Sequence, residues 1–120
     1  MLEFIKRFFG MGTQEEIDPN GPQNKNLGGK QFKEELAATA DAILLDVRTP
    51  AEFSSGTLPG ALNMDIMTFN FAQKAEKLDK TKTYFVFCRS GNRSGQACKI
   101  MHKMGFDVRN LNGGIGSFPR

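Results

Sequence analysis

The chain has 120 residues, of which 39% are hydrophobic and 24% charged, which predicts one globular domain and excludes a wholly disordered chain. Its net charge of +3 is too small to indicate nucleic-acid binding. Two cysteines and one histidine exclude a disulfide framework and a zinc site. Because no secretory signal is visible, we expect a cytoplasmic protein with free thiols.

Residues 1–26 are predicted to be separate from the rest of the chain, as an amphipathic segment followed by a polar linker. Leu2, Ile5 and Phe8 fall near helical spacing, and the stretch GMGTQEEIDPNGPQNKN is polar and rich in turn-forming residues. A short apolar segment of this kind packs more often on its own domain or on a neighbouring molecule than on a membrane. Membrane contact by residues 1–10 is therefore not expected.

Residues 27–120 are predicted to form the folded domain, in which helical and strand patterns alternate. In chain order they are a helix at 30–40, a strand at 42–47, a short helix at 49–56, a turn and short strand at 57–64, a helix at 68–78, a strand at 82–87, a helix at 93–105, a strand at 107–111 and a tight turn at 112–118. The continuous apolar run AILLDV is typical of a strand buried on both faces. This alternation predicts an α/β fold with a parallel sheet covered by helices on both faces.

The strand at 82–87 leads directly into Cys88, at the sheet edge where α/β proteins bind ligands. The loop that follows is polar and basic, and its residues are Arg89, Ser90, Gly91, Asn92, Arg93 and Ser94. Glycine and asparagine tolerate unusual backbone angles, so successive N–H groups can converge at the start of the next helix. A thiol at that point is expected to lose its proton more easily than a free cysteine.

Two other cysteine chemistries fit this loop less well. His102 lies about two helical turns past Ser94, too far along the helix to act as the base of a Cys–His pair. The spacing from Cys88 to Arg93 is Cys-x4-Arg, one residue shorter than the Cys-x5-Arg loop of cysteine phosphatases. The shorter loop is better sized for one sulfur atom than for a phosphoryl group, although a phosphatase or arsenate reductase remains an alternative.

Four stretches of the sequence together resemble a single-domain rhodanese. CRSGNRS resembles that family's active-site loop, and LLDVRTPAEF resembles its Asp-x-Arg segment followed by Glu and an aromatic residue. GTLPGALNM is similar to the family's Gly-His-Ile-Pro-Gly-Ala-x-Asn turn, and GFDVRNLNGGI is similar to its closing strand and Gly-Gly turn. Two positions depart from the family pattern: Thr57 replaces the usual histidine, and Phe118 replaces a frequent tryptophan.

The resemblance implies a rhodanese-like three-layer fold with a five-stranded parallel sheet flanked by helices. It also implies a sulfurtransferase that carries a persulfide on Cys88 and holds it with the loop from Arg89 to Arg93. A donor such as thiosulfate would supply the sulfur, and cyanide or a thiol would accept it. The alternative is a carrier that exchanges persulfide sulfur between partner proteins without turnover. Neither reading requires a cofactor, a metal or a nucleic acid.

Other residues have supporting or structural roles in this interpretation. Arg89 is expected to steer the anionic donor, whereas Arg93 and Ser94 hold the loop in shape. For Asp46 and Arg48, one reading places them near the mouth of the cysteine site; we favour the structural reading, an ion pair that links a strand end to its loop, with Arg48 able to reach Glu52. Cys98 is expected to be a small core residue.

Overall fold

The computed structural model describes residues 20–120, and these residues form a sheet of five parallel strands. The strands are β1 (Asn24–Leu27), β2 (Ala42–Asp46), β3 (Leu62–Asn63), β4 (Thr83–Phe87) and β5 (Asp107–Leu111), in the order β1-β5-β4-β2-β3. All four strand pairs are parallel. The predicted α/β fold with a five-stranded parallel sheet is therefore confirmed.

Helices cover both faces of this sheet. They are α1 (Gly29–Ala38), α2 (Pro50–Ser55), α3 (Phe71–Glu76) and α4 (Asn92–Lys103), and a short 3-10 helix follows at Ile115–Ser117. One core cluster joins the sheet to α3 and α4, and the other joins the opposite face to α1. Within residues 20–120, no helix is long and apolar enough to cross a membrane.

Strand β4 is the central element that positions the cysteine. Its alternate side chains enter different clusters: Tyr84 and Val86 pack with Cys88 on the α4 side, whereas Phe85 and Phe87 pack on the α1 side. A strand buried on both faces has to be apolar throughout, which explains the continuous run YFVF. Cys88 therefore follows the strand with its side chain on the face that α4 covers.

Strand β1 begins inside the segment that we predicted to be linker. Its first three residues are polar and exposed, so they carry no apolar alternation; they join the sheet through backbone pairing with β5. The remainder of the predicted linker up to residue 19, and the amphipathic segment at residues 1–10, lie outside the described residues.

Candidate active site

The Cys88 sulfur lies at the centre of the loop that joins β4 to α4. The backbone N–H of Gly91 donates to Cys88 Sγ at 3.0 Å, and the hydroxyl of Ser94 donates to it at 3.4 Å. The Cys88 and Ser94 side chains are both fully buried. Two hydrogen bonds to one buried sulfur stabilise its anionic form, because a thiolate accepts such bonds more strongly than a thiol.

The protonation of Cys88 follows from a balance between burial and hydrogen bonding. Burial raises the pKa of the Cys88 thiol, because the anion loses solvation. The Ser94 hydroxyl and the backbone N–H groups of Ser94, Gly91 and Ser90 lower that pKa, and their combined effect is larger. The net result is a thiol that ionises below the usual pKa of cysteine, as the sequence predicts.

A glycine turn after β5 fixes the backbone of the loop. The N–H of Ile115 donates to the carbonyl of Cys88 at 2.8 Å. Gly114 has φ +82°, and a Cβ atom there would collide with the carbonyl of Arg89. Gly91 has φ +101°, and a Cβ on it would lie 3.1 Å from the Gly113 nitrogen. These glycines allow the turn and the loop to approach within backbone contact.

Arg93 holds the loop to the start of α2. Its two terminal nitrogens lie 2.8 and 3.0 Å from the carboxylate oxygens of Glu52. Glu52 also accepts from the backbone N–H of Thr49, while the Thr49 hydroxyl accepts from the N–H of Glu52, which is a capping box. We predicted that Arg48 would reach Glu52, and this prediction is wrong: within residues 20–120, the arginine that binds the Glu52 carboxylate is Arg93.

Asp46 and Arg48 form the predicted ion pair, and both are buried. Arg48 Nη2 lies 2.8 Å from Asp46 Oδ2, and it also donates to the carbonyl of Gly56 at 2.6 Å. Thr57, at the position where histidine is usual, donates its hydroxyl to Asp46 Oδ2 at 2.8 Å. Asn63 bonds to the carbonyls of both Asp46 and Arg48. This network connects β2, α2 and β3 and does not contact the sulfur.

The remaining loop residues lie at the outer surface. Arg89, Ser90 and Asn92 are exposed, and among the described residues Arg89 has no carboxylate partner. The N–H of Asn92 donates to the Ser90 hydroxyl at 3.5 Å. Of the two loop arginines, Arg93 is neutralised by Glu52 and Arg89 remains available to an anion.

The other groups that the sequence singled out lie away from this centre. Cys98 lies on α4 and is buried in the core, as predicted, and burial raises the pKa of its thiol to about 12. His102 lies in the last turn of α4 and contacts the carbonyl of Pro22. Phe118 packs edge-on against Phe32. Within residues 20–120, no three His, Cys, Asp or Glu side chains come together to hold a metal ion.

Two features of the site could not be found from the sequence. Glu52 and Arg93 are separated by 41 residues, and no local pattern pairs them. The Gly-Gly turn was identified as a turn, but its contact with Arg89 depends on how β4 and β5 lie side by side. In the sequence, Gly114 was indicated only by its position in the stretch that resembles the family's Gly-Gly turn.

Comparison with known proteins identifies the family. The family model described as rhodanese-like domain matches residues 29–119. A protein named sulfurtransferase from Allochromatium vinosum is 35% identical over 95 residues, which cover 78% of this chain and 87% of the relative. YtwF of Bacillus subtilis, which also has a sulfurtransferase name, is 36% identical over 91 residues, covering 76% and 86% of the two chains.

Other comparisons extend to a longer enzyme and to solved structures. A tRNA uridine(34) hydroxylase from Pelagibacter ubique is 35% identical over 101 residues, which are 82% of this chain but only 33% of the relative. The crystal structure of a rhodanese-related protein from Thermoplasma volcanium superposes with a TM-score of 0.68 at 26% identity and covers 79% and 95% of the two chains. This chain therefore belongs to the rhodanese-like domain family.

Proposed function

We propose that this protein is a sulfurtransferase that moves a sulfane sulfur from a small anionic donor such as thiosulfate to a thiophilic acceptor, through a persulfide on Cys88. The observation that carries the proposal is the pair of donors on Cys88 Sγ, the Gly91 N–H at 3.0 Å and the Ser94 hydroxyl at 3.4 Å. They stabilise a thiolate, which is the nucleophilic form of cysteine.

In the first step, the Cys88 thiolate attacks the outer sulfur of thiosulfate. A new S–S bond forms to Cys88, the S–S bond of thiosulfate breaks, and its electron pair leaves with sulfite. The terminal sulfur of the resulting persulfide carries the negative charge. We expect the backbone N–H groups of Ser90, Gly91 and Ser94, which lower the pKa of Cys88, to stabilise that anion as well.

In the second step, the acceptor attacks the terminal sulfur of the persulfide. With cyanide, a carbon–sulfur bond forms, the S–S bond breaks, and the Cys88 thiolate is released together with thiocyanate. Splitting the reaction in this way avoids a direct encounter between two anions and predicts ping-pong kinetics. We assign Arg89, which is exposed and without a carboxylate partner among the described residues, to attracting the donor and its leaving anion.

Intact-protein mass spectrometry after thiosulfate treatment tests the persulfide directly. We expect one added sulfur in the wild type and in Cys98→Ala, removal of that sulfur by cyanide, and none in Cys88→Ala. Cys98→Ala is the matched control because Cys98 is the second thiol of the chain and lies buried in the core. Sulfur added to Cys88→Ala would contradict the assignment of the nucleophile.

A persulfide carrier between proteins is the second candidate, and an exposed apolar surface favours it. Met67 is 69% exposed and Phe69 is fully exposed. They follow Ile66, whose N–H donates to the carbonyl of Val47, just past the carboxyl end of β2. Exposed apolar side chains at the rim of a sheet often mark contact with a protein. Saturable turnover of thiosulfate and cyanide supports the enzyme, whereas persulfide exchange with a protein partner alone supports the carrier.

A phosphatase or arsenate reductase remains the weaker alternative because of the four-residue spacing between Cys88 and Arg93. Moreover, Arg93 is held by Glu52 and is therefore not free to bind a phosphoryl group. Hydrolysis of an aryl phosphate by the wild type and not by Cys88→Ser would favour this alternative.

A further inference from the structure

One of the two arginines in the cysteine loop is neutralised by a carboxylate from another part of the chain. Arg93 lies in the first turn of α4, next to Ser94, whose hydroxyl contacts Cys88 Sγ. Its terminal nitrogens lie 2.8 and 3.0 Å from the two carboxylate oxygens of Glu52. The pKa of Arg93 is raised chiefly by its hydrogen bond with Glu52 and more weakly by the charge of Cys88. This ion pair is therefore within electrostatic range of the reacting sulfur.

Glu52 is held in place by its own helix as well as by Arg93. The backbone N–H and the hydroxyl of Thr49 both lie 3.1 Å from Glu52 Oε1. The carboxylate thus receives two hydrogen bonds from Thr49 and two from Arg93. Hydrogen bonding, first from Arg93 and then from Thr49, lowers the pKa of Glu52 from 4.5 to about 2. Arg93 therefore faces a negative charge that persists at any pH at which a cysteine thiolate can form.

The pairing leaves the side chains of the loop close to neutral. Cys88 as a thiolate carries one negative charge, Arg89 carries one positive charge, and the charges of Arg93 and Glu52 cancel each other. Asp65 adds a further, weaker negative influence on Arg93. A loop with this charge balance has little long-range attraction for dianions. Its N–H groups can still hold one anionic sulfur, because hydrogen bonding acts at short range.

Inert oxyanions are the ligands that such neutralisation excludes. Sulfate is a tetrahedral dianion like thiosulfate, but it has no sulfur that can be transferred. An uncompensated guanidinium binds oxyanions through charge and paired hydrogen bonds, and it would attract both ions alike. Keeping Arg93 neutralised therefore prevents sulfate from competing with a sulfur donor for the loop.

We propose that Glu52 determines the anion selectivity of the cysteine site: by neutralising Arg93, it keeps inert oxyanions such as sulfate out of the loop in front of Cys88. This inference deepens the proposed function and rests on it, because it concerns the same nucleophile and the same class of donor. Glu52 acts only through Arg93, so it is a positioning residue and not a catalytic one.

A comparison of Cys88 alkylation by iodoacetate and by iodoacetamide tests the charge at the sulfur. The two reagents share a leaving group and differ in charge, and both react with the same thiolate, so the ratio of their rates does not depend on the thiol pKa. Glu52→Gln keeps an oxygen for Thr49 and Arg93 and removes the negative charge. We expect the iodoacetate-to-iodoacetamide ratio to rise about threefold, because an uncompensated unit charge within a Debye length has an effect of this order.

Further variants separate the effect of charge from that of loop structure. Arg93→Gln leaves Glu52 unpaired and should lower the ratio about threefold, whereas the double variant Glu52→Gln/Arg93→Gln should return it to the wild-type value. Glu35→Gln is the matched control: Glu35 is 29% exposed and paired with Arg109, against 28% for Glu52, but it lies on α1 at the opposite face of the sheet. An unchanged ratio in Glu52→Gln, a rise that persists in the double variant, or an equal rise in Glu35→Gln overturns the proposal.

Protection by sulfate measures the selectivity itself. Sodium sulfate, with sodium chloride to match ionic strength, should slow the alkylation of Glu52→Gln by iodoacetamide with an affinity about tenfold higher than in the wild type, since a dianion gains twice the energy of a monoanion. Sulfate that protects neither protein, or both equally, contradicts the proposal. No sulfur is transferred in these measurements, so their outcome is distinct from that of the persulfide test with thiosulfate.

Discussion

The hydroxyl of Ser94 is expected to control the reactivity of Cys88 in a direction that reverses with pH. It donates to Cys88 Sγ at 3.4 Å, and the described chain gives its Oγ no other hydrogen bond. Ser94→Ala removes this donor with almost no change in volume. A hydrogen bond to a charged group contributes about 1.5 kcal/mol at the lower end of its range, which corresponds to about a tenfold change in equilibrium. The variant is therefore expected to have a higher thiol pKa than the wild type.

The rate of alkylation follows from two opposing effects of that change. Well below the thiol pKa, Ser94→Ala has about tenfold less thiolate, but each thiolate is about threefold more nucleophilic, since nucleophilicity rises with pKa with a Brønsted coefficient of about 0.4–0.5. The net expectation is a rate about threefold lower than that of the wild type. Well above both pKa values, both proteins are thiolates, and the variant should be about threefold faster. The two pH profiles should therefore cross.

The assay is the pH dependence of alkylation by iodoacetamide, followed by intact-protein mass. Cys98 does not interfere, because burial raises the pKa of its thiol to about 12, so it stays protonated over the pH range of the assay. Ser90→Ala is the matched control, because within residues 20–120 the Ser90 hydroxyl has no hydrogen bond to the sulfur and accepts only from Asn92 at 3.5 Å. Profiles that do not cross, or a Ser90→Ala profile that moves as far as that of Ser94→Ala, would refute this account of the thiolate.

Three further substitutions test the scaffold around the loop. Glu52→Gln should reduce the free energy of unfolding by about 0.5–1 kcal/mol at pH 7. The hydrogen bond from Arg93, and to a smaller extent that from Thr49, lowers the pKa of Glu52 from 4.5 to about 2, so the stabilisation is complete above pH 4.5 and is lost as the pH falls through about 2. Urea denaturation should therefore show that the stabilities of the two proteins converge near pH 2. Gly114→Ala should cost at least about 2 kcal/mol in thermal unfolding, since its φ is positive and its Cβ meets a carbonyl, whereas Gly116→Ala, with no atom within 4 Å of its Cβ, should change little. Asp46→Asn leaves a buried guanidinium without its charge partner and should cost about 3–5 kcal/mol in urea denaturation; a loss below about 1 kcal/mol would mean that the network is not supporting the strand end.

The elements that the sequence revealed are those whose burial leaves a local pattern. Strands β2 and β4 are buried between helices, so their residues are continuously apolar and easily recognised. The start of α2 was predicted from Thr49 with Pro50 and Glu52, and the structure confirms a capping box there. Strand β1 escaped detection because NKNL has no apolar alternation; it belongs to the sheet only through its pairing with Val108 to Leu111.

The site was predictable to the same extent, for the same reason. Cys88 stood out because it follows a buried strand and precedes a glycine turn, both of which are local features. The Asp46–Arg48 pair spans two residues and was predicted. The ion pair of Arg93 with Glu52 joins residues 41 positions apart, and the approach of Gly114 to Arg89 depends on the pairing of β4 with β5. Such contacts are properties of the assembled fold and not of any one segment.

The complete burial of the Cys88 side chain limits which molecules can reach its sulfur. Because none of this side chain is exposed, slender ions should react with it far faster than bulky disulfides of equal chemical reactivity. The same burial would protect a persulfide on Cys88 from abundant thiols that cannot reach it, and the persulfide would then persist for longer. The protein would then select its reagents by their size, through access to the sulfur, before any bond is made or broken.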